Sequence, residues 1–453
     1  MPYPGEFAHH RSVLRLASTP LIQDLKRRCK VRLPETAEET GSALTPLAEI
    51  ERTQWLPQWI IAIDGSHLEI PLRNGFPGAE VSYLSIASVM LNVSRMRILD
   101  AKRPVDPHEF NKLERVDAID CALPGCNVVV DDHLNAQQSL RTQLHHVLEH
   151  TRMVEGGENL LQTYEALLAY KPLTRDQACP YEDCEAHPPI YKRSSGQYLC
   201  DCRLNRPLFS ADALRIHEGM NPAGTNGAMY AEVSQVLEHV WLINILRTIE
   251  QQEWLSSLRR LAFVIDGPLA VFGHPAWLSE AIIRELRRLN AKAREANNTD
   301  LLILGVEKTG PFFEHLQQVD ISSSGQRDRL PRSTSMLLTD QYIKHNIIFS
   351  DSQKPYGSQT YYGRKFFYKT RSGARIVAVL PFLRDGDDDL NRAEPSQFPR
   401  LPDALNILDE LVSVRYPDAV VPLIAAHAEA AIPIQMGRRV LEQIAREMVG
   451  ESQ

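Results

Sequence analysis

Two short motifs place an aspartate and a glycine directly after an apolar run. IIAIDGSH (60–67) contains Asp64, and AFVIDGPL (262–269) contains Asp266. Each apolar run predicts a buried strand that ends at its aspartate, where the glycine allows a sharp turn. If both strands lie in one sheet, the carboxylates repel each other unless cations separate them, and two divalent ions about 3.5–4 Å apart would support phosphoryl displacement. Each motif alone is also typical of an ordinary Asp-Gly turn.

A third carboxylate for such a site is expected on the apolar segment 229–250, which predicts a long helix. The residues three, four and seven positions after Glu238 are apolar, so this side chain lies at the edge of the buried stripe. A charge there is costly unless a metal ion or a salt bridge stabilises it. Glu232 and Glu250 are expected to be solvated.

Alternating strands and helices must position these acids. The sequence predicts buried strands at 59–63, 81–91, 261–265 and 301–306 and helices at 135–153, 164–170, 229–250 and 277–296. Apolar strands that alternate with helices favour a mixed α/β sheet covered on both faces.

A β-hairpin is predicted at 361–380, where two strand-like runs flank the turn Arg371-Ser372-Gly373. Its residues alternate between cationic and stackable side chains: Arg364, Lys365, Phe366, Tyr368, Lys369 and Arg371. Such a surface is suited to guiding single-stranded DNA. A half-buried hairpin with one solvated face is the alternative interpretation.

Four of the seven cysteines form two close pairs, Cys179-x4-Cys184 and Cys200-x-Cys202. The stretch 179–202 is poor in aliphatic residues and predicts an inserted module. Four thiols in two pairs favour a closed structural zinc site. His187 is an alternative ligand, and four free reduced thiols are the alternative state. Cys121 and Cys126 are expected to be core or loop residues.

Net charge and missing motifs argue against some classes of protein. The chain has 453 residues and a formal net charge of −7, whereas a module that only coats DNA is usually basic. No P-loop pattern G-x-x-x-x-G-K-[ST] occurs, which excludes a standard translocating ATPase. Because neither a membrane-spanning run nor a signal core is evident, we expect a cytoplasmic protein.

The order of these motifs resembles the NurA nucleases across residues 55–435. The shared features are IDGS, a helical glutamate, VIDGPL, a strand leading to Lys308, and the YP…AH pattern within RYPDAVVPLIAAHAEAAIP (415–433). The resemblance implies an RNase H-like α/β fold and a DNA nuclease that depends on Mn²⁺ or Mg²⁺. It also implies a homodimer and a HerA-type hexameric ATPase as partner, in DNA repair by end processing or in antiviral defence against phage.

The resemblance further implies roles for individual residues. Asp64, Glu238 and Asp266 correspond to metal-binding or catalytic residues, and Tyr416 to a residue important for activity. His427 either binds metal or transfers a proton. Lys308 contacts phosphate as a point charge. Ser66 is expected to orient the neighbouring Asp64.

We divide the chain into five segments. They are an N-terminal helical arm (1–50), the first part of the RNase H-like core (55–175), the Cys-rich, zinc-ribbon-like insertion (176–225), the second part of the core with the basic hairpin (226–435), and a C-terminal helix (436–453). The arm and the amphipathic segment 440–448 are the expected docking surfaces for the ATPase.

Two other functional classes remain compatible with the sequence. An actin-like phosphotransferase also uses Asp-Gly turns on an RNase H-like fold, although the chain lacks the Gly-rich adenosine segment expected of one. The second is a non-cleaving, nuclease-like scaffold for the ATPase.

Overall fold

The computed structural model describes residues 10–31, 45–46, 50, 53–72, 78–94, 114–131, 134–172, 179–181, 183–184, 196–202, 204–321, 328–412, 420–432 and 436–448.

One mixed sheet organises the described part of the chain. Its nine strands lie in the order β1-β9-β10-β11-β8-β7-β2-β3-β4. The strands are β1 (Thr45–Pro46), β2 (Trp59–Leu72), β3 (Ala79–Asn92), β4 (Glu114–Pro124), β7 (Leu261–Asp266), β8 (Ile303–Glu307), β9 (Thr334–Leu337), β10 (Gly363–Lys369) and β11 (Arg375–Pro381). β2, β7 and β8 are parallel neighbours, and the other pairings are antiparallel. A separate two-stranded sheet joins β5 (Gln197–Leu199) to β6 (Pro207–Phe209).

Helices flank this sheet, as the sequence predicted. They are α1 (His10–Ser18), α2 (Pro20–Arg28), α3 (Ala136–His150), α4 (Leu160–Leu168), α5 (Gly227–Gln251), α6 (Leu278–Asn297), α7 (Pro311–Val319), α8 (Asp340–Ile343), α9 (Leu401–Leu411), α10 (Val421–Ala430) and α11 (Met436–Met448). Local sequence sets several of the helix starts. The Asn135 side chain caps α3, and Asn159 and Gln162 form a reciprocal capping box at α4. The predicted mixed α/β sheet is therefore confirmed.

The main core lies between the sheet and its helices. Buried apolar side chains of β2, β3, β7 and β8 form one cluster with those of α3, α4, α5, α6, α9 and α10. β2 is a central strand, with β7 on one edge and β3 on the other. Both of its faces are covered, since α5 and α10 each pack against it. Side chains that alternate along β2 therefore meet two different helices.

The hairpin formed by β10 and β11 is structural, so the interpretation as a DNA-guiding surface is wrong. Every residue of β10 is buried. The ammonium group of Lys369 donates to Asp320 at 2.7 Å, and Lys365 pairs with Glu307. Arg364 donates to backbone carbonyl groups. β10 is buried because apolar clusters cover both of its faces, which its local composition does not reveal. Phe366 and Tyr368 belong to the main core, whereas Phe367 packs in a second cluster with Phe312 of α7 and Tyr342 of α8.

Both ends of the described chain are helical. The N-terminal helices expose most of their apolar side chains, and α2 has no buried residue. At the other end Leu441 and Ala445 of α11 pack against apolar residues of β2 and β3. No described helix is both long enough and apolar enough to span a membrane. The segment boundaries given above remain predictions.

Candidate metal-binding site

Asp64 and Asp266 lie side by side where two parallel strands separate. The last residues paired between β2 and β7 are Ile63 and Ile265, and each aspartate comes next in its strand. β7 ends at Asp266, and Gly267 turns the chain with a φ of 91°. The predicted strand end is therefore correct for Asp266.

The predicted strand end is wrong for Asp64. β2 continues through this residue to Leu72, because β3 pairs with it over its whole length. Beyond Asp64, β7 no longer pairs with the other edge of β2. The site lies at this open edge.

His427 completes a compact set of ligand atoms around Asp64. Its Nδ1 lies 2.9 Å from Oδ2 of Asp64, while the other carboxylate oxygen accepts the backbone N–H of Gly65 at 2.8 Å. One ligand atom each from Asp64, Asp266 and His427 lie within 4.8 Å of one another. The Asp64 side chain is 7% exposed and that of His427 is 63% exposed, so the set opens towards solvent on the side of α10. Carboxylate and imidazole groups are suitable ligands for a divalent cation.

Lys308 contacts Asp266 directly. Lys308 is the residue that follows β8. Its ammonium group donates a hydrogen bond to Oδ2 of Asp266 at 3.0 Å. The Lys308 side chain is partly exposed, at 30%. It therefore balances the charge of one of the site's carboxylates, while the expected phosphate contact remains a prediction.

Glu238 reaches the site from α5. Its carboxylate accepts a hydrogen bond from the Ser234 hydroxyl at 3.3 Å. Burial, followed by the charges of Asp64 and Asp266, raises the pKa of Glu238 to about 8. Among the described residues, it does not belong to the set whose ligand atoms lie within 4.8 Å of one another. The structure thus brings Glu238 near the two aspartates without joining it to that set.

The carboxylates carry more negative charge than their surroundings balance. Burial and the charge of Asp266 raise the pKa of Asp64, although the hydrogen bond from His427 lowers it. Glu238 likewise holds a proton near neutral pH because burial and the two aspartates disfavour its charged form. These groups fit divalent cations, which would replace the proton and stabilise all three carboxylates.

Two positions near the site have roles that the sequence analysis missed. Gly65 does not turn the chain; a side chain there would collide with the Glu238 carboxylate and with Cδ1 of Ile86, 2.7 Å from the ideal Cβ. Ser66 does not orient Asp64, because its hydroxyl donates to the carbonyl of Ala430 and ties β2 to α10. β2 continues past Asp64, so the Cβ direction of Gly65 and the side chain of Ser66 face opposite sides of the sheet. The Asp-Gly pattern did not suggest this continuation.

A buried histidine anchors the helix that carries Glu238. His239 donates from Nε2 to the carbonyl of Ala270 at 2.7 Å and accepts the Tyr362 hydroxyl at Nδ1 at 2.9 Å. Burial lowers the pKa of His239 to about 4, so the ring is neutral. α5 is therefore fastened to the segment that follows Asp266.

The remaining sequence candidates lie elsewhere or outside the described residues. Glu232 pairs with His274 at 3.1 Å, and Glu250 pairs with Arg288 at 2.7 Å. Both glutamates contact side chains of neighbouring elements instead of being fully solvated. Tyr416 and His187 lie outside the described residues.

Three of the four cysteines predicted to bind zinc converge where the β5–β6 hairpin meets the loop before it, and Cys202, although described, is outside that set. The Sγ atoms of Cys179, Cys184 and Cys200 lie within 4.8 Å of one another, and no described cysteine forms a disulfide. Cys121 and Cys126 lie elsewhere in the fold, on or just after β4.

Comparison with known proteins supports the resemblance noted from the motifs. A family model described as the NurA domain matches residues 59–432. A structure search finds the crystal structure of the NurA nuclease from Sulfolobus solfataricus, at 9% identity and a TM-score of 0.36 over 98% of each chain. No curated protein matches. The structural likeness is distant, whereas the family model spans most of the chain and includes Asp64, Asp266 and His427. The chain therefore belongs to the NurA family.

Proposed function

We propose that this protein is a metal-dependent DNA nuclease that hydrolyses phosphodiester bonds. The single observation that carries the proposal is the convergence of Asp64, Asp266 and His427, whose ligand atoms lie within 4.8 Å of one another at an open strand edge. Membership of the NurA family supports the same assignment.

In this proposal Asp64, Glu238, Asp266 and His427 hold two Mn²⁺ or Mg²⁺ ions. When bound, such a cation pair stabilises the negative charge that develops on a phosphodiester during in-line displacement. Asp64 would be the central ligand because it contacts His427 directly and its ligand atom lies within 4.8 Å of that of Asp266 at the open edge of β2. The pKa of Glu238, about 8, supports its role, since a buried carboxyl group that holds a proton can exchange it for a metal ion.

The chain's own cationic groups have separate tasks. Lys308 orients Asp266 and, being partly exposed, can also approach a phosphate oxygen of DNA. His427 directs Nδ1 towards Asp64, and its exposed ring leaves Nε2 as the second position for a ligand bond or a proton transfer. We assign Tyr416 an accessory role in activity on the family resemblance alone.

A direct assay tests the nuclease assignment. Purified protein is incubated with end-labelled and circular DNA in Mn²⁺, in Mg²⁺ and in EDTA, beside a measurement of ATP hydrolysis. Cleavage that needs metal supports a nuclease, and the circular substrate distinguishes endonuclease from exonuclease activity. Metal binding without cleavage would instead support a non-cleaving scaffold. ATP hydrolysis by the isolated chain would favour the phosphotransferase class.

We also propose that the protein acts as a homodimer with a HerA-type hexameric ATPase. A nuclease without a nucleotide-binding loop cannot use ATP hydrolysis to move along DNA, and tethering to a motor that encircles DNA raises the local substrate concentration. The exposed apolar residues of α1 and α2, such as Leu14 and Leu21, provide an uncovered surface for docking, and α11 adds Val440. End processing in repair and destruction of phage DNA require the same chemistry.

Co-expression with a neighbouring ATPase tests the partnership. We expect co-purification, and faster digestion of kilobase duplex in the presence of ATP. Replacing both Leu14 and Leu21 with Asp should abolish co-purification while leaving metal-dependent cleavage of short DNA intact. Equally fast digestion of long duplex by the isolated protein, with no ATPase bound, would exclude the partnership and leave the nuclease assignment unaffected.

A further inference from the structure

The cysteine module brings thiols from two separate stretches of chain together. The Sγ atoms of Cys179 and Cys200 lie 3.9 Å apart, and those of Cys184 and Cys200 lie 3.7 Å apart. The three thiols share one locus, and their separations are those of metal ligands rather than of a disulfide, whose sulfur atoms are about 2 Å apart.

Tight turns of the backbone present these thiols. The N–H of Cys184 donates to the carbonyl of Tyr181 at 3.1 Å. In the β5–β6 hairpin, the backbone N–H of Cys200 donates to the carbonyl of Arg206 at 2.8 Å, and the backbone N–H of Asn205 donates to the carbonyl of Cys202 at 3.0 Å. Both cysteine pairs therefore lie where the chain reverses, so that the paired side chains face one another.

Cys202 follows Cys200 by two residues, in the turn that joins β5 to β6. The backbone carbonyl of Cys202 accepts the N–H of Asn205 at 3.0 Å in this turn. Among the described residues, Cys202 does not belong to the set whose Sγ atoms all lie within 4.8 Å of one another. It is the second cysteine of the same turn and therefore the candidate for a fourth thiolate ligand.

Apolar burial holds only one strand of the hairpin. Leu208 and Phe209 of β6 are 1% and 4% exposed, whereas Leu199 of β5 and Leu204 of the connecting turn are 56% and 61% exposed. Isolated two-stranded hairpins are marginally stable at best. A bound metal ion supplies what a small core lacks.

Cation–π contacts dock the module onto the rest of the protein. The guanidinium groups of Arg141 and Arg206 each lie 4.9 Å from the ring centroid of Tyr181. Arg141, in α3, is buried and pairs with Asp212 at 2.6 Å. Tyr181 therefore connects the cysteine module to the buried ion pair between Arg141 and Asp212.

We infer that Cys179, Cys184, Cys200 and Cys202 bind one zinc ion as a closed structural site. Four thiolates satisfy the tetrahedral preference of Zn²⁺ and leave no open position for substrate. The ion stabilises the hairpin and the Tyr181 contact, and it takes no part in hydrolysis.

Metal analysis of the full-length protein, purified with reductant and without chelator, tests this inference. We expect one equivalent of zinc per chain. Cys200→Ser should lower the zinc content at least about tenfold, since one lost thiolate opens the site. Cys29→Ser is the matched control, because Cys29 is an exposed cysteine outside the module, and it should leave zinc unchanged. Replacing zinc with Co²⁺ should give the absorption spectrum of a tetrahedral thiolate complex.

Thiol alkylation of the wild-type protein tests the zinc site even if a cysteine variant fails to fold. With zinc bound, the four thiols should resist alkylation under native conditions, and removal of zinc should make them reactive. Zinc below about a tenth of an equivalent, with all four thiols alkylated in the folded protein, would overturn the inference.

Gly65 lies where an added side chain would collide with Glu238. Its φ is not positive, so backbone conformation does not require glycine there. An ideal Cβ at this position would lie 3.0 Å from Cδ of Glu238 and closer still to one of its carboxylate oxygens. A methyl group and the carboxylate therefore compete for the same space.

The geometry points to Gly65 as a positioning residue that admits Glu238 to the metal-binding site. Asp64 and Ser66, on either side of it, contact α10, whereas the Cβ direction of Gly65 faces α5. Only a residue without a side chain lets a carboxylate from α5 approach Asp64 across β2. This inference rests on the proposed metal site.

Calorimetric titration with Mn²⁺, without DNA, tests this role of Gly65 independently of cleavage. Gly65→Ala should weaken Mn²⁺ binding at least about tenfold, because the displaced Glu238 no longer reaches the ions. The double variant Gly65→Ala/Glu238→Asp should recover part of that loss, since the shorter acid leaves room for the methyl group. Gly219→Ala is the control, because a Cβ there lies at an ordinary 3.6 Å from His274.

Other results would reject the role of Gly65. Unchanged Mn²⁺ binding by folded Gly65→Ala would do so. The same substitution can be made in a Glu238→Gln background, which lacks the carboxylate. If Gly65→Ala weakens Mn²⁺ binding there as much as it does in the wild type, Gly65 acts through another group. If the chain binds Mn²⁺ as expected but does not cleave DNA, the proposed function fails and the role of Gly65 stands.

Discussion

The imidazole of His427 lies 2.9 Å from the carboxylate of Asp64, although 363 positions separate them along the chain. The contact forms because α10 packs on the face of β2 towards which Asp64 points, and Ser66 ties the end of α10 to the same strand. Asp64 of the central strand β2 and His427 of α10 thus meet beside the open edge of β2.

Removing either aspartate should abolish cleavage. Asp64→Ala or Asp266→Ala is expected to lower the rate of DNA cleavage at least about 10³-fold, because metal stabilisation supplies several kcal/mol of the barrier reduction. Single-turnover cleavage of labelled DNA in Mn²⁺ measures the effect. Asp351→Ala, at an exposed loop position, should be unchanged. Near-normal cutting by either folded aspartate variant would contradict the mechanism.

Replacement of His427 should separate its two possible tasks. His427→Ala is expected to lower cleavage about 10²-fold or more, as either a lost ligand or a lost proton acceptor would. A ligand role predicts that high Mn²⁺ concentrations restore most of the rate, because the loss is then one of affinity. A proton-transfer role predicts unchanged Mn²⁺ affinity and an altered pH–rate profile. A variant with wild-type rate and pH profile would assign His427 neither task.

The metal-free protein should become less stable as pH rises. The folded-state pKa of Glu238 is raised to about 8 from its ordinary 4.5, so its contribution to stability is fully present below about pH 4.5 and is lost as pH rises through about 8. Glu238→Gln should therefore be more stable than the wild type at pH 8 in EDTA. Urea unfolding across this range measures the difference, and Mn²⁺ should reverse it for the wild type. If the difference in the free energy of unfolding between the wild type and Glu238→Gln does not change with pH, the pKa of Glu238 is not raised.

The β10–β11 hairpin should matter for stability and not for DNA binding. Lys369→Met is expected to destabilise the fold by about 3 kcal/mol, because it removes the buried ammonium partner of Asp320 and leaves only Arg375, at 3.6 Å, to balance that carboxylate. Arg371→Ala should cost less than about 1 kcal/mol, since its side chain is 62% exposed. Urea unfolding and fluorescence anisotropy with labelled single-stranded DNA measure the two properties. A large loss of DNA affinity in either folded variant would restore the DNA-guiding interpretation.

The sequence alone determined the elements that supply the carboxylates. Apolar runs that end at an aspartate predicted β7, the apolar stripe around Glu238 predicted α5, and the spacing of the cysteines predicted their pairing. These features are readable because periodicity and local turn chemistry operate over a few neighbouring residues. The order of the motifs was enough to suggest the family before any contact was known.

Only the tertiary structure decided which neighbours each strand has, and several roles depend on them. β3 pairs with β2 past Asp64, which turns Gly65 from a turn residue into a gap for Glu238. Apolar clusters cover both faces of β10, so Lys365 and Lys369 form buried ion pairs instead of a DNA surface. A strand's own residues do not encode whether its edges are paired. That outcome depends on hydrogen bonds and packing with segments far away in the chain, and for this reason the partner of Asp64 could not be derived from local pattern.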